Sequence, residues 1–294
     1  MGKSKYSARD TQFILDNYTE LTYSHIAKQL NIFYSFEKFT EKQVRSKARL
    51  MGLSKIKYKY NRRFFEVINS TDKGYWLGFI YADGYVIETY RNAEISIQLS
   101  SIDKSHLEKL NHSIKGDVPV TDFIAKEVTI KKTGQVIPPR PISQIRLYSL
   151  EMANDLKKLN LVQNKTYKNI SPDLCYSKEI NLAIIRGFFD GDGSLSKDGQ
   201  CHFTAYSDVF LSKIQKYLNT LGINSSMYIE KEHKYRLFID HSYILKFLKL
   251  LYEDTSYTYL DRKYSLATKI IKLKEKQYLN KHSLYTTVNS VNVV

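Results

Sequence analysis

Residues 76–84 read WLGFIYADG and residues 185–193 read IRGFFDGDG. Each stretch has the look of the last turns of an apolar helix, closed by one carboxylate and a glycine. Gly78 and Ala82 stand four apart in the first, and Gly187 and Gly191 do so in the second. Positions i and i+4 share a helix face, so each helix carries a stripe of small residues that lets a second backbone come close. The acids Asp83 and Asp192 fall at the helix C-termini, where the helix dipole disfavours negative charge, and no adjacent lysine or arginine compensates. Two buried helices closed by Asp-Gly turns would account for the pattern structurally. If the helices instead pack side by side, both carboxylates meet at one end. Paired hard oxygen donors suit a divalent cation and phosphodiester chemistry.

The rest of the composition narrows the partners. The 294 residues carry a formal charge of +15, and the pI is near 9.4, which points to a polyanion. The 24 tyrosines interleaved with basic residues suit a nucleic-acid surface, although an AT-rich coding bias gives the same look. No apolar run is long enough to span a bilayer and no signal-like N-terminus is present, so a membrane partner is not expected. The expected location is a bacterial or phage-host cytoplasm, with an organellar matrix as the alternative. Cys175 and Cys201 are the only cysteines and the seven histidines are scattered, which argues against a disulfide framework or a zinc site. Any metal is therefore expected to be a hard, oxygen-bound ion, magnesium first and manganese as its substitute.

Residues 1–53 read as three short helices. Ser7 with Asp10, and Thr40 with Gln43, have capping-box spacing, and Gly52 is a C-terminal stop. The second helix spans Ser24 to Leu30, and a long insertion, Phe33 to Phe39, follows it. On the third helix Val44, Ala48 and Met51 make the buried face, while Lys42, Arg45 and Arg49 make a separate basic one. Such a unit resembles Myb-like or helix-turn-helix modules, which place their last helix in the DNA major groove; the alternative is a solvated helix face. Residues 54–69 read as a basic linker with Lys55, Lys57, Lys59, Arg62 and Arg63, either tracking a phosphate backbone or merely solvated.

Residues 70–165 and 178–275 read as two repeats of one plan: helix, two strands, helix, two strands, helix. Residues 166–177 link them, and a polar tail, 276–294, follows. In the first repeat a hairpin turned at Arg91-Asn92 leads to a strand whose Ile95, Ile97 and Leu99 oppose Ser96, Gln98 and Ser100. Its second hairpin runs Val118 to Ile130 and Ile142 to Ser149, across a long turn. In the second repeat Asp198-Gly199 reads as a two-residue hairpin turn, and Cys201 and Phe203 oppose His202 and Thr204. Setting Ser207 beside Ser101 puts Phe203 on Ile97 and Thr204 on Gln98. IRLYS (145–149) and YRLFI (235–239) match as central strands. The polar rows, Ser96, Gln98, His202, Thr204 and Arg236, are expected to face the ligand. The expected fold class is α+β, a pseudo-twofold pair of αββαββα repeats after a small trihelical domain.

The two nine-residue stretches, 109 residues apart (192 minus 83), resemble the paired signature of the LAGLIDADG homing endonucleases, with glycine in the third and ninth places and aspartate in the eighth. The resemblance covers residues 70–275. It implies two antiparallel sheets lying in the major groove of double-stranded DNA. It also implies that Asp83 and Asp192 are catalytic and hold the metal, one acid for each strand cut, so that a single chain acts as a monomer. A basic residue near the end of each repeat assists the metal site, and the matching positions are Lys165 and Lys263. The sixth place departs from symmetry, with Tyr81 in one motif and Asp190 in the other. The family often has an acid there that caps or packs.

Three functions compete on this reading. The first is a site-specific DNA endonuclease with a long asymmetric target. The second is an RNA maturase that binds its own intron RNA. The third is a transcription regulator, which loss of the motif acids would mark, yet both acids are present. An intein is not expected, because the chain starts Met-Gly-Lys and Val291 to Val294 lack a His-Asn ending.

Overall fold

The computed structural model describes residues 5–18, 20–53, 58–89, 92–130, 134–165, 168, 170–230, 234–254 and 258–291. The chain divides into two compact units, 1–59 and 60–294.

The smaller unit is built from α1 (Ala8–Asn17), α2 (Tyr23–Tyr34) and α3 (Glu41–Leu50). Both expected capping boxes form: Ser7 with Asp10 on α1, and Thr40 with Gln43 on α3. Each satisfies two backbone donors that a helix start leaves unpaired. Ile14, Ile26, Leu30, Val44 and Ala48 form the core. The insertion after α2 is shorter than the sequence suggested, because α2 runs on to Tyr34 and stops at Ser35, whose φ is 59°. Asn31 then fixes the loop: its Oδ1 accepts from the Lys38 and Phe39 N–H groups at 3.0 and 2.8 Å.

In the larger unit the first repeat comprises α4 (Thr71–Asp83), β1 (Gly84–Thr89), β2 (Asn92–Ser100), α5 (Lys104–Ser113), β3 (Thr121–Ala125), β4 (Val128–Thr129), β5 (Val136–Ile137), β6 (Arg140–Tyr148) and α6 (Leu150–Lys158). The second comprises α7 (Lys178–Asp192), β7 (Gly193–Leu195), β8 (Cys201–Ala205), α8 (Asp208–Thr220), β9 (Ser225–Ile229), β10 (Tyr235–Ile239) and α9 (Ile244–Tyr252), after which α10 runs from Asp261 to Val291. The sheets are antiparallel, with orders β1-β2-β6-β3 and β7-β8-β10-β9. The fold is therefore the expected α+β pair of αββαββα repeats. Gly84 pairs with Ile97 and Gly193 with Phe203, so Phe203 does occupy the place of Ile97. No helix among the described residues is long and apolar enough to cross a membrane.

The small-residue stripes bring α4 and α7 together at backbone distance. A Cβ on Gly78 would lie 2.0 Å from the Ile184 carbonyl oxygen, and one on Gly187 would lie 2.0 Å from that of Tyr75. Nothing larger than hydrogen fits at either place. A Cβ on Gly191 would lie 2.3 Å from the Ala82 Cβ, so the stripes meet residue on residue at the end where the acids sit.

Several local readings need correction. Residues 60–69 are not a free linker: Phe64, Phe65 and Ile68 are buried, because three large apolar side chains gain more from the core than from water. The first turn is expected at Arg91-Asn92; Arg91 lies outside the described residues, and Asn92 is the first residue of β2, paired with Thr89. The strand read as 118–130 breaks after Ala125, and a separate two-stranded ribbon, β4 with β5, occupies the connection. The β7–β8 turn has three residues rather than two: Ser196 N–H bonds to the Gln200 carbonyl, and Gly199 N–H to that of Ser196, both at 3.0 Å. Gly199 supplies the positive φ, +89°, that such a loop needs. IRLYS and YRLFI are both central strands but match two residues out of step, since Ile145 pairs with Ile97 and Leu237 with Phe203. A two-residue shift keeps every side chain on its face, which is why alternation alone did not reveal it. The C-terminal tail is helical through Val291.

Candidate functional site

Both motif helices end in the same construction. α4 stops at Asp83 and its Gly84 N–H bonds to the Ile80 carbonyl; α7 stops at Asp192 and its Gly193 N–H bonds to that of Phe189. Each chain then enters its sheet without a loop. A Cβ on Gly191 would lie 3.2 Å from Asp83 Oδ2, so the first carboxylate stands against the last turn of the opposite helix.

The compensating cations absent from the local sequence arrive from far along it. Lys165 Nζ donates to the carbonyls of Ile80, at 3.1 Å, and Gly84. Lys263 Nζ donates to the carbonyls of Phe189 and Gly193. These are equivalent atoms in the two repeats. Each ammonium caps a helix C-terminus, satisfying exposed carbonyls and offsetting the negative end of the dipole.

The site shifts the titration of its charged groups. Asp83 and Asp192 reach solvent, yet the protein around them raises both carboxyl pKa values. Burial and then the Asp83 charge push Asp192 up to about 7. For Asp83 burial raises the pKa against the pull of Lys263, Lys165 and Arg262. Burial lowers Lys165 and Lys263 to about 8 each, against the pull of neighbouring acids. Two carboxylates that feel one another's charge at the ends of adjacent helices are a ready site for a hard cation. Among the described residues no group of three or more His, Cys, Asp or Glu side chains is placed to hold a metal ion. A cation here would complete its shell with water, carbonyl or phosphate oxygens, as magnesium does. Beside Asp192 a cavity of about 190 Å³ opens, lined in part by Tyr81, Lys165, Thr204 and Ser207.

Residues 179–252 match the family described as LAGLIDADG-like domain. The second repeat is a LAGLIDADG-like domain. The first repeat has the same strand order and the same helix-to-strand junction. No curated protein matches the chain. Similar solved structures include mesophilic variants of the homing endonuclease I-DmoI, at 15% identity and TM-score 0.45, over 68% of this chain and 96% of that one. The homing endonuclease I-WcaI bound to its DNA recognition sequence is similar at 15% identity and TM-score 0.48, over 68% and 87%. The N-terminal LAGLIDADG domain of DUF199/WhiA is similar at 20% identity and TM-score 0.37, over 65% and 89%.

The sixth place of the two nine-residue stretches does different work. Asp190 is fully buried and accepts from Tyr75 and Tyr252 hydroxyls at 2.7 and 2.5 Å and from the Leu260 N–H at 2.8 Å. The Tyr75 hydroxyl hydrogen is thereby committed, so it accepts from His106 Nε2, 3.0 Å away, which assigns the Nε2–H tautomer. Tyr81 instead donates to the Ile170 carbonyl at 2.6 Å.

The open faces of the two four-stranded sheets hold most of the residues expected to meet a ligand. Gln98 is exposed, and His202, Thr204 and Arg236 are half-buried. Ser96 is the exception at 5% exposure. It lies on the open face, but its cross-strand neighbours there are Tyr85 and Arg146, whose longer side chains cover it. Those two, 50% exposed for Tyr85 and 52% for the Arg146 side chain, take its place as the reaching residues. Their signal was available as alternation in β1 and β6. Arg236 pairs with Glu230 at 2.8 Å, and the His202 ring lies 4.7 Å from that of Phe238.

Of the remaining basic residues, Arg63 is committed to Asp155 at 3.0 Å and to Glu66, and Arg62 donates to the Tyr148 carbonyl at 2.8 Å. Packing of 60–69 on the repeat takes Arg63 out of the expected phosphate-tracking row. Lys55 and Lys57 lie outside the described residues. On α3, Lys42, Arg45 and Arg49 are exposed on one face, with Arg45 paired to Glu41.

Proposed function

We propose that the protein is a site-specific endonuclease that hydrolyses both strands of duplex DNA at a long, asymmetric target. The observation that carries this reading is the doubled helix end: Asp83 with Lys165 and Asp192 with Lys263, at the junction of two sheets with open polar faces. A regulator on this scaffold has no use for two carboxylates held at raised pKa against a helix dipole, and that supports the enzymatic reading.

Asp83 and Asp192 would hold a divalent cation, magnesium first. When bound, such an ion supplies water of lowered pKa and offsets charge on the phosphate oxygens. The carboxylates would hold that centre beside the scissile phosphate. A water oxygen bonds to phosphorus and gives up a proton to solvent as the bond to the leaving sugar oxygen breaks, and that oxygen takes up a proton from solvent. Lys165 and Lys263 keep positive charge beside the acids, which lowers the cost of bringing a polyanion against them. Tyr85, Gln98, Arg146, His202, Thr204 and Arg236 would read or grip the duplex from the open faces. Residues 1–53, with Lys42, Arg45 and Arg49, serve as an added DNA-binding module. Because one chain supplies both acids, a monomer suffices.

The test is a plasmid carrying the uninterrupted form of the sequence that flanks the gene. With magnesium the protein linearises it, and chelator stops cutting while leaving binding in place. Cutting at full rate in chelator would remove the metal from the mechanism.

A further inference from the structure

We propose that Arg186 and Asp190 form a clamp, found among the described residues in the second half only, that sets Lys263 on the second motif helix, so that the two strands are served by centres of matching placement held by different means. This rests on the cleavage reading above. Lys263 lies in the first turn of α10, and that turn has to be brought to α7 from outside the repeat. Two buried side chains of α7 do so. Asp190 accepts from the Leu260 N–H at 2.8 Å, immediately before α10 begins. Arg186, 2% exposed, donates Nε–H to the Thr258 carbonyl at 2.9 Å and Nη1–H to that of Leu251 at 3.1 Å. One helix thus grips the end of α9 and the start of α10, and Lys263 returns to the same helix at Phe189 and Gly193.

Other ties reach this segment. Thr258 Oγ1 donates to Asp72 at 2.8 Å, Lys109 to the Tyr259 carbonyl at 2.9 Å and to Asp261 at 2.6 Å, and Arg262 to Asp103 at 2.9 Å. The lysine and arginine ties are half-exposed, where water competes and holds little. The buried clamp has no such competitor. In the first repeat the matching positions are Leu77 and Tyr81 (186 and 190, each minus 109). Leu77 makes no hydrogen bond through its side chain, and Tyr81 reaches only the Ile170 carbonyl, five residues beyond Lys165. Among the described residues Lys165 is therefore held without the equivalent of the Asp190–Leu260 bond. Asp190 and Arg186 are positioning residues: they act through Lys263.

The experiment measures two things on Asp190→Asn and Arg186→Lys: separate nicking rates for the two strands of a supercoiled plasmid, and amide exchange across residues 258–264. Tyr252→Phe is the control, since it removes one bond to Asp190 and leaves the Leu260 N–H bond alone. The clamp predicts that at least one of the two test variants cuts one strand tenfold or more slowly while the other strand stays within about twofold. It also predicts exchange at 258–264 rising tenfold or more, with Tyr252→Phe changing neither ratio. Equal slowing of both strands with unchanged exchange overturns it. A variant that melts before the assay is replaced by the other. If the wild type cuts no duplex, the cleavage reading fails, and exchange alone decides the clamp: unchanged protection at 258–264 overturns it.

Discussion

The last turns of α4 and α7 differ less than the polypeptides that surround them. Both end in an aspartate, both run straight into a strand, and both are capped by a lysine on the same two carbonyls. Around that common end the halves diverge. The first carries an added ribbon, β4–β5, and a tyrosine at the sixth place; the second carries a buried aspartate bonded to three donors and a 31-residue final helix. On the proposed reading, chemistry that acts on two antiparallel strands needs matching centres, whereas an asymmetric target needs unlike surfaces. The common end would then be where function constrains both halves, and the differences where each half meets its own surroundings.

The strongest way to break the comparison is to remove one charge from each half. Asp83→Asn and Asp192→Asn keep side-chain shape and relieve both the dipole penalty and the repulsion of close acids. Each is expected to cut double-strand cleavage by several orders of magnitude, read as supercoiled, nicked and linear plasmid, while melting at or above the parental temperature. A large loss of stability in either would mean that these aspartates only cap and pack.

Next in size is the helix contact that makes the pair. Gly78→Ala and Gly187→Ala would each press a methyl to 2.0 Å from a carbonyl oxygen of the facing helix. The expected cost is about 3 kcal/mol or more, measured by urea unfolding. Gly134→Ala, with open space around it but φ at +69°, should cost only about 1 kcal/mol. Similar costs at all three sites would mean that the helices do not meet this closely.

The lysines sharpen the comparison further. Lys165→Met and Lys263→Met each leave two carbonyls without their cap and should cost about 1–3 kcal/mol, with Lys263 the larger because it is only 5% exposed. Cleavage is expected to fall by about 100-fold in each. Loss in one variant alone would break the equivalence of the two ends.

The smallest effect concerns the first unit. Deleting residues 1–53 should shorten the DNA footprint and lower the slope of log affinity against log salt by about 3, one for each of Lys42, Arg45 and Arg49. Cleavage should persist at high enzyme concentration. An unchanged slope would assign those residues to something other than this DNA.

What could be read in advance was what local sequence encodes. Capping boxes, strand alternation and the stripe from Gly78 to Ala82 are short-range patterns, and each is in place. Lys165 and Lys263 came only through the family resemblance, since nothing near Asp83 or Asp192 in sequence points to them. The Arg186 and Asp190 contacts bring together residues 62 to 115 positions apart, beyond the reach of any periodicity. Ser96 was placed on the right face, but its burial depends on the size of its cross-strand neighbours. The two-residue slip between β6 and β10 preserves facing and so leaves no trace in alternation. The linker failed for a different reason: Phe64, Phe65 and Ile68 are apolar punctuation inside a basic run, and composition weighted the charge over the core.

The central claim is that Asp83 and Asp192 form one coupled pair of acids that takes a divalent cation. Following the Asp192 carboxyl carbon by NMR against pH, with and without magnesium, tests it most directly. Without metal it should ionise near pH 7, well above its ordinary value of 3.8. The folded state then binds the extra proton between those values, so this group's contribution to stability is greatest below about pH 4 and falls as pH rises through about 7. Magnesium competes with that proton and should move the midpoint downward, and Asp83→Asn should lower the metal-free midpoint by removing the neighbouring charge. A midpoint near 3.8 that neither magnesium nor Asp83→Asn moves would contradict the pair.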